Sequence, residues 1–319
     1  MAIYRLNWNE PAPPPCRGAM VTIGNFDGVH RGHAALLARL KEIATTNGCP
    51  AVAVTFDPHP LSILRPELFQ PTLTTIEERA SLLQNNGADH VVVLRTQAGL
   101  LHLSADDFFH RVVRENLQAR GLAEGPNFGF GRNRQGNMDL LARYCAEAGM
   151  AFEVVQPLAI DGVVVSSSKV RQALLDGNLE MATRFLGRPY RLEGTVTTGQ
   201  RRGQQLGFPT ANLSKIGTLI PKDGVYAVRA TPHPQPLSRE GRGEIRWPAA
   251  ANVGPNPTFD EQARKVEVHL IGFAGDLYGQ KLSIDFLARL RDTTRFESVE
   301  KLRAQLREDV ERAALLAKS

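Results

Sequence analysis

Along the first 186 residues, apolar positions come in two alternating kinds of run. Residues 19–23, 51–56, 91–94 and 151–155 are short and apolar, as strands buried in a sheet are. Between them, Leu36, Leu37, Leu40 and Ile43 recur at helical spacing over residues 32–47, and 76–85, 105–116 and 138–148 read as further helices. Ser104 followed by Asp106 and Asp107 predicts an N-cap with an acidic first turn. Strands alternating with helices predict a mainly parallel, Rossmann-like α/β sheet with helices on both faces. Ligands of such sheets sit at the carboxyl ends of the strands.

The pattern changes near Leu186-Gly187-Arg188-Pro189. Strand-like runs at 191–198, 224–230, 249–253, 265–271 and 281–290 are separated by Gly and Pro, which predicts a small antiparallel β-barrel. Residues 298–317 predict a C-terminal amphipathic helix, with Val299, Leu302, Leu306, Val310, Ala313 and Ala314 near one face. The expected domains are therefore 1–186 and 187–319. Residues 231–247 carry Pro, Gly, Arg and Ser without either period and are read as a long surface loop.

Bulk composition narrows the class. A length of 319 residues suits two domains, and 42% hydrophobic with 22% charged residues is globular. No apolar run approaches the ~20 residues of a membrane span, and the N-terminus lacks the pattern of a signal peptide, so a cytoplasmic location is expected. Cys16, Cys49 and Cys145 form no Cys-x-x-Cys pair, which argues against a disulfide framework or a zinc site. A net charge of +5, scattered along the chain, suits small anionic substrates as well as it suits nucleic acid. The expectation is no nucleic-acid partner, no membrane partner and at most weak self-association.

Candidate chemistry lies first in Gly24-Asn25-Phe26-Asp27-Gly28-Val29-His30-Arg31-Gly32-His33. A strand running through a Gly-rich turn into a helix offers backbone N–H groups and a helix dipole to phosphate. Gly24, Phe26, Asp27 and Gly28 are candidate nucleotide-binding residues. His30 and His33, three apart, face one side of the first turn, where imidazoles can donate to charge developing on a phosphate. The plainer alternative is one capping and one surface histidine. No Walker-type Gly-Lys-Ser/Thr follows, which disfavours an ordinary P-loop. Asn127 in Asn127-Phe128-Gly129-Phe130-Gly131, and Ser167 and Arg171 in Ser166-Ser167-Ser168-Lys169-Val170-Arg171, have the character to complete such a site.

A second cluster is Gly207-Phe208-Pro209-Thr210-Ala211-Asn212. In an extended segment Thr210 and Asn212 face the same way, and a hydroxyl with an amide oxygen suits Mg²⁺ carried by ATP phosphates. The Gly-rich stretch from Gly194 to Gly207 suggests a flap over those phosphates. In Val266-Glu267-Val268-His269-Leu270, alternation puts Glu267 and His269 on the face opposite the valines. A solvated strand face would explain that pattern equally well.

These motifs, in this order over nearly the whole chain, resemble the prokaryotic bifunctional riboflavin kinase/FAD synthetases. The resemblance implies an N-terminal module that transfers AMP from ATP to FMN and a C-terminal module that phosphorylates riboflavin. It implies that His30 and His33 stabilise the ATP phosphates, that Asn127 helps place the substrates, and that Ser167 with Arg171 holds phosphate. It also implies that Glu267 is the catalytic base for the riboflavin 5′-hydroxyl. Mg²⁺ with ATP is the expected cofactor, and riboflavin, FMN and FAD are the expected substrates and products.

The chain departs from the family pattern in four places. Leu122-Ala123-Glu124-Gly125-Pro126 is less strand-like than the family's usual Val-Val-Gly approach. Gln204 stands where a basic residue is common, and Thr293 where Glu is frequent. Residues 231–247 look like an insertion. Two alternatives stay open at this point: a nucleotidyltransferase for another small phosphorylated substrate, and a non-catalytic flavin- or nucleotide-binding regulator.

Overall fold

The computed structural model describes residues 2–198, 203, 206–233, 245–256 and 261–318. The chain divides into two compact units, Met1–Ser166 and Ser167–Ser319. This division precedes the expected boundary at 187 because the helices Ser167–Leu175 and Leu179–Leu186 belong with the second unit. There the Lys222 N–H donates to Leu174 O at 3.0 Å, and Gly177 backs onto the Arg289 side chain.

In the first unit, β1 (Ala2–Leu6), β2 (Met20–Ile23), β3 (Ala51–Asp57), β4 (His90–Arg95), β5 (Gly121–Glu124) and β6 (Ala151–Val154) form a parallel sheet. The strand order is β1-β4-β3-β2-β5-β6, and a short antiparallel hairpin of β7 (Ala159–Ile160) and β8 (Val163–Val164) follows it in the chain. Alternation within β3 builds two cores. Val52 and Val54 pack with Phe109, Val112 and Leu117 on one face, and Ala51 and Ala53 with Leu37, Leu40 and Leu83 on the other. Covering both faces is what a parallel sheet needs.

Two strands escape the sequence pattern. Strand β1 was not anticipated, and β5 (Gly-Leu-Ala-Glu) has no β-branched residue although it is buried throughout. Gly121 is required there by close approach, since a Cβ would lie 2.6 Å from Met20 Sδ and 2.7 Å from Ala151 O. The predicted cap at Ser104 is present, its hydroxyl accepting the Asp107 N–H at 3.0 Å. The helix it starts widens into a π-helix over Phe108–Asn116, where the Leu117 N–H reaches five residues back to Val112 O at 2.9 Å.

From β2 the chain passes through the helix Arg31–Thr46 to β3 on one side, and it returns later to β5 on the other. The carboxyl end of β2 is therefore the topological switch point of the sheet, the crevice where such folds bind ligands.

In the second unit, six strands among the described residues close an antiparallel barrel. They are β9 (Tyr190–Thr197), β10 (Ala211–Ser214), β11 (Gly224–His233), β12 (Trp247–Asn256), β13 (Glu261–Leu270) and β14 (Lys281–Arg291), in the order β10-β13-β12-β11-β14-β9. Tyr190, Leu192, Val196, Tyr226, Val228, Val266 and Val268 are buried at alternate positions. The helix Val299–Lys318 brings Ala313 against Val225, Ala227 and Leu290. It is locked by Arg291, whose guanidinium pairs with the buried Asp309 at 2.7 Å.

Two loop expectations change. Strand β11 runs to His233 and β12 starts at Trp247, so the ends of 231–247 are strand; residues 234–244 lie outside the described residues. Gly194 is not part of a flap. It is inside β9 opposite Leu282, and a Cβ there would meet Ser214 O at 2.9 Å. Residues 199–202, 204 and 205, including Gln204, lie outside the described residues.

Candidate active sites

The first motif forms a compact turn at the switch point. The Gly24 N–H donates to Val54 O at 2.9 Å, which prolongs the β2–β3 ladder by one step. The chain then turns through three positive φ values: Phe26 at 46°, Gly28 at 80° and Val29 at 39°. Such backbone is unfavourable for Phe and, more so, for β-branched Val. Both side chains are buried in the core, which holds them there. The Phe26 ring lies under Gly24 and edge-on to His33, with centroids 5.1 Å apart.

The turn is held from beneath by a buried polar network. Asp27 is 2% exposed and Arg79 3%. Asp27 Oδ1 accepts the Leu73 N–H at 2.8 Å and, in longer contacts of 3.4 Å, the Thr74 N–H and the Arg79 guanidinium. The Gly28 N–H donates to Thr74 Oγ1 at 3.3 Å, and the Thr55 hydroxyl donates to Asn25 O at 3.1 Å. Asp27 therefore has an inward contact set that supports the turn. Arg79 escaped the sequence reading, yet it had a signal: it occupies a position in the apolar stripe Ile76, Ala80, Leu83 of its helix.

His30 is the N-cap of the helix Arg31–Thr46, and its Nδ1 accepts the His33 N–H at 3.3 Å. An accepting Nδ1 leaves the proton of a neutral ring on Nε2. The two imidazoles stack at 3.7 Å and 17°. His33 is half-buried, and its Nδ1 is covered without a hydrogen-bond partner. Burial, then the adjacent His30 and Arg79, hold its imidazole well below the ordinary histidine range, so it is neutral at pH 7. A helix start that carries two stacked imidazoles is suited to phosphate.

Across the crevice, β5 pairs with β2 only at Met20↔Gly121 and Val21↔Leu122. Beyond that point the Glu124 carboxyl replaces the ladder, accepting the Ile23 N–H at 2.6 Å and the Thr22 hydroxyl at 3.5 Å. Burial pushes this carboxyl well above the ordinary carboxylate range, against the opposing pull of those two hydrogen bonds. Asn127 follows β5 and lines a recess of about 450 Å³ with Phe128, Gly129, Arg134, Met138 and Asp139. Arg134 folds over Gly129 and donates to Asn127 O at 2.7 Å. Ser167 and Arg171 lie on the helix Ser167–Leu175, which is grouped with the second unit.

In the barrel, strand register assembles the second cluster. Asn212 on β10 is opposite Glu267 on β13, Glu267 is opposite Asn252 on β12, and Asn212 is opposite Thr197 on β9. Cross-strand partners share a face, so these four half-buried residues form a polar row on the side away from buried Val266 and Val268. Thr210 precedes β10, and its Oγ1 would lie 3.3 Å from a Cβ on Gly203. Gly207, at φ 89°, allows the turn before Phe208. His269 is a member of this neighbourhood to which the sequence reading gave no role, and Asn252, expected in a structural turn with flavin contacts, is a strand residue opposite Glu267. The segment 276–279 is a turn in which Asp276 Oδ1 accepts the Tyr278 N–H at 2.9 Å.

Comparison with known proteins matches both halves. Residues 13–169 fit the family described as FAD synthetase, and residues 186–316 the family described as riboflavin kinase. The chain is 39% identical over 305 residues to the bifunctional riboflavin kinase/FMN adenylyltransferase of Pseudomonas fluorescens, covering 95% of this chain and 94% of the relative. It is 36% identical over 295 residues to the protein of the same description from Escherichia coli K12, covering 92% and 91%. A solved Streptococcus pneumoniae chain described as a macrolide-efflux protein superposes with a TM-score of 0.84 at 30% identity, covering 98% of each chain. Among the described residues here, no helix is long and apolar enough to cross a membrane.

Proposed function

The chain belongs to the bifunctional riboflavin kinase/FMN adenylyltransferase family, making FMN from riboflavin and FAD from FMN, and from that premise we propose which residues carry each step. The observation behind the assignment is that each half builds its own polar cluster, one at the sheet's switch point and one along the barrel's strand register.

At the first site, the turn Gly24–His33 receives the ATP phosphates, with Gly24, Phe26 and Gly28 shaping the backbone and Asp27 bracing it. An FMN phosphate oxygen forms a bond to the α-phosphorus, the bond to the β-phosphate oxygen breaks, and pyrophosphate leaves. No protein nucleophile is needed, so positioning and charge stabilisation dominate. His30, with its Nε2–H, and His33 donate to the phosphate oxygens. Asn127, beside its recess, orients the flavin substrate. For Ser167 and Arg171, on the helix Ser167–Leu175, the family resemblance supports the role of holding phosphate.

At the second site, Glu267 takes the proton of the riboflavin 5′-hydroxyl as that oxygen bonds to the γ-phosphorus and ADP leaves. The donor set of a Thr210 hydroxyl and an Asn212 amide, with a carboxylate in register, is all oxygen and fits Mg²⁺ carried by ATP. Bound there, Mg²⁺ would neutralise phosphate charge. Among the described residues no three His, Cys, Asp or Glu side chains converge as a metal site, and an ion held mainly by phosphates and water needs no such cage. Gly207 shapes the approach to these oxygens. The same reading puts the enzyme in the cytoplasm, with riboflavin, FMN, FAD and ATP as partners, no nucleic acid or membrane, and at most weak self-association.

A timed incubation with riboflavin, ATP and Mg²⁺, with flavins separated by chromatography, tests the assignment. His33→Ala should abolish FAD formation and spare FMN formation; losing a positioned donor typically costs about 10²–10³-fold. Glu267→Ala should do the reverse, by about 10²–10⁴-fold. Equal loss of both activities in either variant would refute separate sites.

A further inference from the structure

We propose that His269 is a positioning residue of the kinase site, tethering the Pro209 carbonyl and so setting where Thr210 and Asn212 present their oxygens. This role presupposes the kinase-site reading given above.

His269 lies on β13 two residues beyond Glu267, so the two share a face. Its Nδ1 is 2.8 Å from Pro209 O. A carbonyl oxygen only accepts, so Nδ1 carries a proton. The ring also meets Phe208 edge to face, at 5.6 Å and 77°. One imidazole thus grips two consecutive residues immediately before Thr210.

The strand ladder explains why a tether is needed. Strands β10 and β13 pair at Leu213↔Val266, Asn212↔Glu267 and Ala211↔Val268, and there the pairing stops. One further step would have set Thr210 opposite His269. In place of that step, the His269 side chain reaches across and holds the carbonyl one residue earlier. Pro209 has no N–H to offer a ladder, so its carbonyl is the group available at this position. From the other side, the Phe208 N–H donates to Gly203 O at 2.8 Å. Gly203 admits no side chain, since a Cβ would lie 2.4 Å from Phe208 O. Asn212 is fixed by two ladders, to β13 and to β9. Thr210 lies outside them, so the 208–209 segment that His269 holds is what positions its hydroxyl.

Two substitutions in the full-length protein separate the donor from the bulk. Asn places an amide N–H close to where the imidazole Nδ1–H lies, whereas Leu fills the space without a donor. His269→Leu should raise both the ATP KM and the Mg²⁺ concentration for half-maximal FMN formation, about tenfold or more, since a misplacement of about 1 Å in a catalytic site is costly. His269→Asn should stay near wild type, and both should leave FAD formation from supplied FMN unchanged. Independently of activity, long-range ¹H–¹⁵N spectra should show an Nδ1-protonated imidazole whose signals vanish in His269→Asn.

A wild-type Mg²⁺ response in His269→Leu, equal damage in the two variants, or an Nε2-protonated ring would each overturn the role. Thr210→Ala in the same assay separates the two levels. An unchanged Mg²⁺ response there would defeat the site reading itself. A shifted response there with a normal His269→Leu would defeat only the tether.

Discussion

The sheet unit and the barrel unit hold their candidate sites by different means. At the switch point, the functional groups hang on a turn with two non-glycine residues at positive φ, Phe26 and Val29. Each such conformation costs on the order of 1–3 kcal/mol and persists because buried Arg79, Asp27 and Thr74 brace it from below. In the barrel, the polar row Thr197, Asn212, Glu267, Asn252 follows from strand register, with ordinary extended backbone and an apolar interior behind it. A braced turn depends on a few specific contacts and should fail when one is removed. A row on a closed ladder shares its support among many backbone hydrogen bonds and should respond to local changes more weakly.

The sharpest way to break this contrast is Arg79→Leu. It leaves the Asp27 carboxylate buried without its cation, which typically costs about 3–5 kcal/mol. FAD formation should be lost while FMN formation from riboflavin continues, and calorimetric unfolding should show one transition lowered. Retained FAD formation would mean that the turn is not braced from beneath.

Its counterpart in the barrel unit is Asp309→Ala, which removes the partner of Arg291. Arg291 keeps contacts to Asp292 O and Thr294 and is partly solvated. The expected cost is therefore smaller, about 1.5–3 kcal/mol, as for a hydrogen bond to a charged group. Urea unfolding should show it, with FMN formation measurable at 25 °C and FAD formation from FMN unaffected. Loss of FMN formation at 25 °C would show the barrel to be as brittle as the turn.

The smallest effect concerns Glu124. Its carboxyl binds its proton more tightly in the folded chain than at the ordinary value of 4.5. Between that value and its raised folded pKa, the native state holds more protons than the unfolded state, so this group's contribution to stability falls as pH rises. Gln keeps an acceptor for the Ile23 N–H and cannot ionise. The stability of Glu124→Gln relative to wild type should therefore be lowest at and below pH 4.5 and improve as pH rises above it, measured by denaturant unfolding across pH. A difference independent of pH would show that Glu124 does not retain its proton in the folded crevice.

Much of this organisation was legible in the chain. The strand–helix alternation, the Gly-rich turn before a helix with two histidines, the Ser104 cap and the Gly- and Pro-separated strands of the second half all rest on local periodicity and turn chemistry. The illegible parts share one property. Strand β5 looks weak because Gly121 and Glu124 answer to neighbours on β2 and β6 rather than to strand propensity. Arg79 sits in the apolar stripe of its helix, but the partner that explains it, Asp27, is 52 positions away in the chain. Gly194 reads as flap and is a strand position crowded by β10.

By itself, then, the sequence determined the two architectures, the elements that carry each motif, and the family through motif order, because these depend on residues close together in the chain. The tertiary structure alone decided which distant groups meet. It turned Asp27 inward to Arg79, gave Glu124 a backbone N–H in place of a strand, aligned Asn212 with Glu267 and Asn252, and brought His269 across to Pro209. Those outcomes depend on burial and register between distant segments, which set the cost of leaving a polar group without a partner and which no local pattern encodes.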